Sequence, residues 1–155
     1  MAMTQLPRDF KEFLQLLNSK QVDYLLVGGY AVGYYGYPRA TGDMDIWIAI
    51  HPRNAEKVVD ALKEFGFGLP DLSPDMFLRE ERIIRLGMPP FRIEVFTTIS
   101  GVHFDECYEK RVIDIVDGIE IKFIHLEDLK INKQASGRPK TSMIFKTCRE
   151  VPNAS

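Results

Sequence analysis

Apolar and polar positions change period several times along this chain, and each change predicts an element. In "PRDFKEFLQLLNSK", Phe10, Phe13, Leu14 and Leu17 recur at i, i+3, i+4 and i+7, one apolar helical face, with Pro7 suited to a first turn. "VDYLLVGG" is a short apolar run ending in glycines, the pattern of a buried strand entering a tight turn. "YAVGYYGY" reads as a short helix stopped by Gly36 and Pro38. "DMDIWIAI" alternates, with Met44, Ile46, Ile48 and Ile50 on one face and Asp43, Asp45, Trp47 and Ala49 on the other. Pro52 opens a second amphipathic helix whose apolar face is Ala55, Val58, Val59, Leu62 and Phe65, ended by Gly66 and Gly68.

Beyond the loop "LPDLSPD", the runs "ERIIRL" and "FRIEVFT" form a strand pair joined by "GMPP", and "RVIDIV" and "IEIKFI" flank Asp117-Gly118, a strong hairpin signal. "HLEDLKINKQ" has acids in its first turn and lysines in its last, as a helix dipole favours. Helix, strand, helix, strand, helix, two strand pairs and a helix predict an α/β (α+β) domain with one mixed sheet. The domain takes in residues 1–140; "TSMIFKTCREVPNAS", 141–155, reads as an atypical, weakly structured or disordered C-terminal tail.

Composition narrows this picture little. The 155 residues fit one compact domain, and 45% apolar with 27% charged residues is ordinary for a globular chain. A formal net charge of −2 offers no global field for nucleic acid, though a local basic groove remains open. Cys107 and Cys148 have no metal-type spacing and read as free thiols of a reducing compartment. The charged "MAMTQLPRDFKEF" is unlike a signal peptide, and no run approaches the roughly 20 apolar residues of a membrane span, so a cytoplasmic protein is expected.

The chemistry lies where polar residues interrupt the strands. Residues i and i+2 of a strand share a side, so Asp43 and Asp45 point together, and two close carboxylates ionise together only with a cation between them. The plain alternative is a solvated pair at a strand start. Glu94 sits between Ile93 and Val95, a costly place for an acid unless it is paired or bound to metal. It either pairs with Arg92 or another base, or joins Asp43 and Asp45 from a neighbouring strand as a set of hard oxygen ligands suited to Mg²⁺. Gly28 and Gly29 end a strand and open a helix, where backbone without Cβ atoms can approach a phosphate.

Gly28-Gly29, thirteen residues, Asp43-Met44-Asp45-Ile46 and a later Glu94 resemble the active-site signature of the DNA polymerase β-type nucleotidyltransferase superfamily. "VGGYAVGYYGYPRATGDMDIWI", "RIEVFTTISGVHF" and "NKQASGRPK" resemble, within it, small bacterial nucleotidyltransferase-like domains related to AbiEii-type toxins, over roughly residues 20–140.

The resemblance implies a small mixed sheet flanked by helices. Asp43, Asp45 and Glu94 would be catalytic and hold two Mg²⁺ ions, or Mn²⁺, about 3.5–4 Å apart. A nucleoside monophosphate would pass from a nucleoside triphosphate to a hydroxyl of a protein or RNA acceptor, with release of pyrophosphate. Gly28 and Gly29 would cradle the β,γ-phosphates. Arg39 and Thr41 would contact phosphate, and Lys133, Arg138 and Lys140 would meet the triphosphate or a nucleic-acid acceptor. An antitoxin or a second copy of the chain would be the partner, with no membrane involved.

Arg39 also reads as a surface loop arginine, and the cluster around Arg138 as a solvated basic turn. Tyr30, Tyr34, Tyr35 and Tyr37 suit a half-buried helical stripe or a stacking platform for a base. His51, His103 and His125 are isolated, and Ser100 lacks a His–acid partner, so neither type is assigned a role. The relatives' acid-rich helix after "GRPK" is absent or replaced here, and Glu94 is one methylene longer than the aspartate often found at the third position. A catalytically silent nucleotide- or partner-binding module that keeps the fold is therefore the alternative. A purely structural pairing of the acids with Arg39, Arg92 and Lys133 is a third reading.

Overall fold

A computed structural model describes residues 6–37, 42–66, 71–88 and 91–137. Twelve elements follow one another: α1 (Arg8–Ser19), β1 (Tyr24–Val27), α2 (Gly28–Tyr34), β2 (Asp43–Ile48), α3 (Pro52–Phe65), a 3₁₀ turn (Pro74–Phe77), β3 (Ile83–Met88), β4 (Phe91–Phe96), α4 (Phe104–Glu109), β5 (Val112–Val116), β6 (Ile119–Phe123) and α5 (Leu126–Ser136). The expected order holds. The 3₁₀ turn and α4 are additions whose stretches are too short to carry a helical period.

The strands form one mixed sheet in the order β3-β4-β2-β1-β6-β5. The two expected hairpins, β3–β4 and β5–β6, are antiparallel, as is β1–β2; β2–β4 and β1–β6 are parallel. Central β2 is buried on both faces except where Asp43 and Asp45 begin it.

Alternation divides the sheet into two cores. Tyr24, Leu26, Met44, Ile46, Ile48, Val95 and Phe123 face α1 and α3, whose Phe13, Leu14, Leu17, Val58 and Leu62 complete the larger core. Leu25, Val27 and Trp47 face the other way, onto Ala31 and Val32 of α2, Cys107 of α4 and Leu129 of α5. Each large side chain so buried contributes about 1.5–3 kcal/mol before chain entropy is charged against it.

Local chemistry fixes the ends of these elements. Asn54, buried at the start of α3, accepts from the Asp23 amide (2.8 Å) and donates to the Asp23 and Ala49 carbonyls (3.1 and 3.0 Å), tying the start of β1 to the end of β2. The isolated histidines all stand at helix starts. His51, His103 and His125 are N-cap residues of α3, α4 and α5, and the Nδ1 atoms of His51 and His125 accept from the amides of Arg53 and Glu127. Among the described residues no helix is long and apolar enough to cross a membrane.

Candidate active site

The three acids of the sequence reading meet on one face at one end of the sheet. Strand register places Val27 opposite Asp45, Asp45 opposite Glu94, and Glu94 opposite Arg85, a single row across four strands. Asp43 stands two residues from Asp45 on the same face, opposite Arg92. Two guanidinium groups therefore share this face with three carboxylates. Arg85 Nε donates to Glu94 Oε2 at 2.5 Å, and Arg92 Nε to Asp43 Oδ1 at 3.4 Å. The Glu94 side chain is only 10% exposed, whereas those of Asp43 and Arg92 are each about a third exposed.

Asp45 is treated differently. Its Oδ1 is buried and has no hydrogen-bond partner. Burial first, then the charge of Glu94, a hydrogen bond with Glu94 and the charge of Asp43, push its carboxyl well above the usual carboxylate range; Arg85 pulls weakly the other way. Gly28 makes this packing possible. It adopts φ +69°, and a Cβ on it would lie 2.1 Å from Asp45 Oδ2, so a side chain there would displace the carboxylate.

A cleft of about 570 Å³ opens over this end of the sheet. Gly28, Gly29 and Val32 form one side, Asp45 the floor, Ile83 and Phe96 an apolar wall, and Lys133 with Asn132 the α5 side. Asp45 is the one acid of the three that lines it. The loop after β4 reaches α5 because Gly101, at φ +85°, has no side chain: a Cβ would meet that of Ala135 at 2.8 Å. Asn132 Nδ2 then donates to the Ser100 carbonyl at 2.9 Å, closing the far rim.

No family model matches this chain, and no curated protein does. In three dimensions it is similar to the crystal structure of a "putative nucleotidyltransferase" from Thermotoga maritima, with a TM-score of 0.62 over 90% of this chain and 89% of that one, at 17% sequence identity. The two chains share a fold. This nucleotidyltransferase-like fold, a six-stranded mixed sheet flanked by helices, is the architecture that the sequence resemblance implied. The comparison does not reach the narrower relation to AbiEii-type toxins.

Within this fold Gly28, Gly29, Asp45 and Lys133 gather around the cleft, and Asp43 and Glu94 flank Asp45 on the sheet. Arg39, Thr41, Arg138 and Lys140, like Cys148 and the tail, lie outside the described residues. Among the described residues no group of three or more acidic, histidine or cysteine side chains is already set as ligands around one point, and Asp43 and Glu94 are each in contact with an arginine.

Tyr30, Tyr34 and Tyr35 form a packing stripe, whereas Tyr37 is exposed. Tyr30 meets Phe10 edge-on, and Tyr34 stacks on Phe123 at 3.8 Å while its hydroxyl donates to Asp114. The Tyr35 hydroxyl donates to the Ile124 carbonyl, and no tyrosine is among the residues lining the cleft. The residue that the sequence reading missed is Arg85. It reaches Glu94 through the register of β3 on β4, which no pattern within either strand announces.

Proposed function

We propose that this protein is a metal-dependent nucleotidyltransferase. It would transfer a nucleoside monophosphate from a nucleoside triphosphate to a hydroxyl of a protein or RNA acceptor and release pyrophosphate. The observation that carries this reading is the unpartnered, buried Oδ1 of Asp45, which lies between two further acids on the floor of a cleft in a nucleotidyltransferase-like fold. A buried carboxylate oxygen with no donor is costly, and a cation removes that cost.

The donor set fits Mg²⁺: carboxylate oxygens are hard ligands, and the ion keeps positions for water and phosphate. Asp45 and Asp43 would hold the ion, with Glu94 next to Asp45 on the neighbouring strand, and Mn²⁺ would suit the same oxygens. When bound, it would neutralise triphosphate charge and favour ionisation of the attacking hydroxyl. The remaining work falls to the chain. Gly28 and Gly29 admit the triphosphate close to the backbone. Lys133 brings positive charge from α5 to the opposite side of the cleft. Val32, Ile83, Phe96 and Ile99 offer an apolar surface to the nucleoside. Arg39 and Thr41, just before β2 in the chain, and Arg138, just after α5, are proposed phosphate contacts on sequence grounds.

Incubation with α-labelled nucleoside triphosphates, Mg²⁺ and a cell extract tests the reading. Label should move to a macromolecule, and Asp45→Ala should lower the rate about 100-fold or more, the scale of losing a main electrostatic contact in the transition state. Equal labelling by the variant, or without divalent metal, rules the mechanism out. Nucleotide binding with no transfer to any acceptor would favour the silent module.

A further inference from the structure

We propose that Arg85 is a built-in substitute for one of the two divalent ions expected of this reaction, so that the protein takes up a single ion, at Asp45 and Asp43. This inference rests on the nucleotidyltransferase reading and narrows it: Glu94 holds Arg85 and does not ligate metal.

Glu94 is the neighbour of Asp45, and three observations commit it to Arg85. The first is register. Arg85 lies directly opposite Glu94 in the β3–β4 ladder, so the backbone itself delivers the guanidinium to that carboxylate. The second is enclosure. The contact is 2.5 Å long, the Glu94 side chain is 10% exposed and that of Arg85 25%. A guanidinium stays charged at any working pH and, unlike an ion, is tethered to the chain. Pulling it away would leave a buried carboxylate to be met by something else, which makes the pair hard to open. The third is contrast. Arg92 reaches Asp43 at 3.4 Å, with both side chains about a third exposed, a contact that solvent and ions can readily replace.

With Glu94 held by Arg85, the carboxylates open to an ion are Asp45, whose buried Oδ1 has no hydrogen-bond partner, and Asp43, whose partly exposed contact with Arg92 an ion can displace. A second divalent ion at Glu94 would have to sit against the Arg85 guanidinium, like charge against like charge in a poorly hydrated place.

Electron paramagnetic resonance of the full-length protein loaded with Mn²⁺ and a triphosphate analogue with a non-hydrolysable α,β-bridge reads this directly. Two Mn²⁺ ions about 3.5–4 Å apart couple and give a broadened multi-line spectrum, whereas a single ion gives an isolated sextet. The wild type should give the isolated sextet. Arg85→Gln, which frees Glu94, should convert it to the coupled spectrum, with bound Mn²⁺ per chain rising from one to two. Arg85→Lys, which keeps the charge, should stay isolated and serves as the measure if the glutamine variant does not fold. A coupled pair in the wild type, or an isolated ion in Arg85→Gln, overturns the role of Arg85 and leaves the metal-dependent reading standing. No Mn²⁺ held in excess of an Asp45→Ala control overturns that reading and this inference together.

Discussion

At the scale of single residues, Asp45 is where local and global demands conflict. Strand alternation turns it toward the second core, Gly28 presses against it, and Glu94 and Asp43 oppose its charge. With no metal present, the folded state keeps its proton to a higher pH than the unfolded chain does. The sign follows from linkage. Below the unfolded value both states are protonated and the group is neutral in the balance. As pH rises toward the raised folded value, only the unfolded state ionises, and stability falls; above it the deficit is constant. Asp45→Asn cannot ionise and should escape this loss. In chelator-treated protein its Tm should exceed the wild type's by a margin that grows as pH rises above the unfolded value and levels off above the folded one. A Tm difference that does not change with pH would show that the carboxyl is not destabilised by its surroundings.

At the scale of elements, α5 matters more for its placement than for its own pattern. One side of the cleft is α5, and it is held there by Gly101 against Ala135 and by Asn132 on the Ser100 carbonyl. A valine at position 101 would be strained at positive φ and would collide with Ala135, costing about 1–3 kcal/mol and moving α5 outwards. Gly101→Val should therefore unfold at lower denaturant concentration and bind a nucleoside triphosphate about tenfold more weakly or worse. Unchanged affinity, measured by calorimetry on the folded variant, would detach α5 from the binding site. Lys133 was singled out from the basic run "NKQASGRPK", but its place on the cleft depends on this docking, which nothing within α5 announces.

At the scale of the whole molecule, the two cores share a single sheet, with alternate residues of the same central strands entering one or the other. Neither core can be lost while the strands persist, so unfolding should be one cooperative step. Trp47, the single tryptophan, reports the second core, where its indole N–H donates to the Thr97 carbonyl and Phe104 meets it edge-on. Far-ultraviolet circular dichroism reports the sheet and the α1–α3 layer as well. The two denaturant curves should coincide. A separate, earlier fluorescence transition would mean that the α4–α5 layer melts by itself.

Periodicity placed α1, α3 and β2, because burial on one face imposes a period of 3.6 or 2, while an apolar run marked β1 and turn signals marked the two strand pairs. It also set Asp43 and Asp45 on one side, since strand geometry allows nothing else. The short α4 escaped, having fewer residues than a helical period needs to show. The partners of those acids depended on facts that no local pattern carries. Parallel pairing of β2 with β4 brought Glu94 to Asp45, and the antiparallel register of β3 on β4 gave Glu94 its arginine. Side-chain direction is a property of one strand; which charge lies across from it is a property of strand order and register, and those are settled only when the whole sheet closes on its two cores.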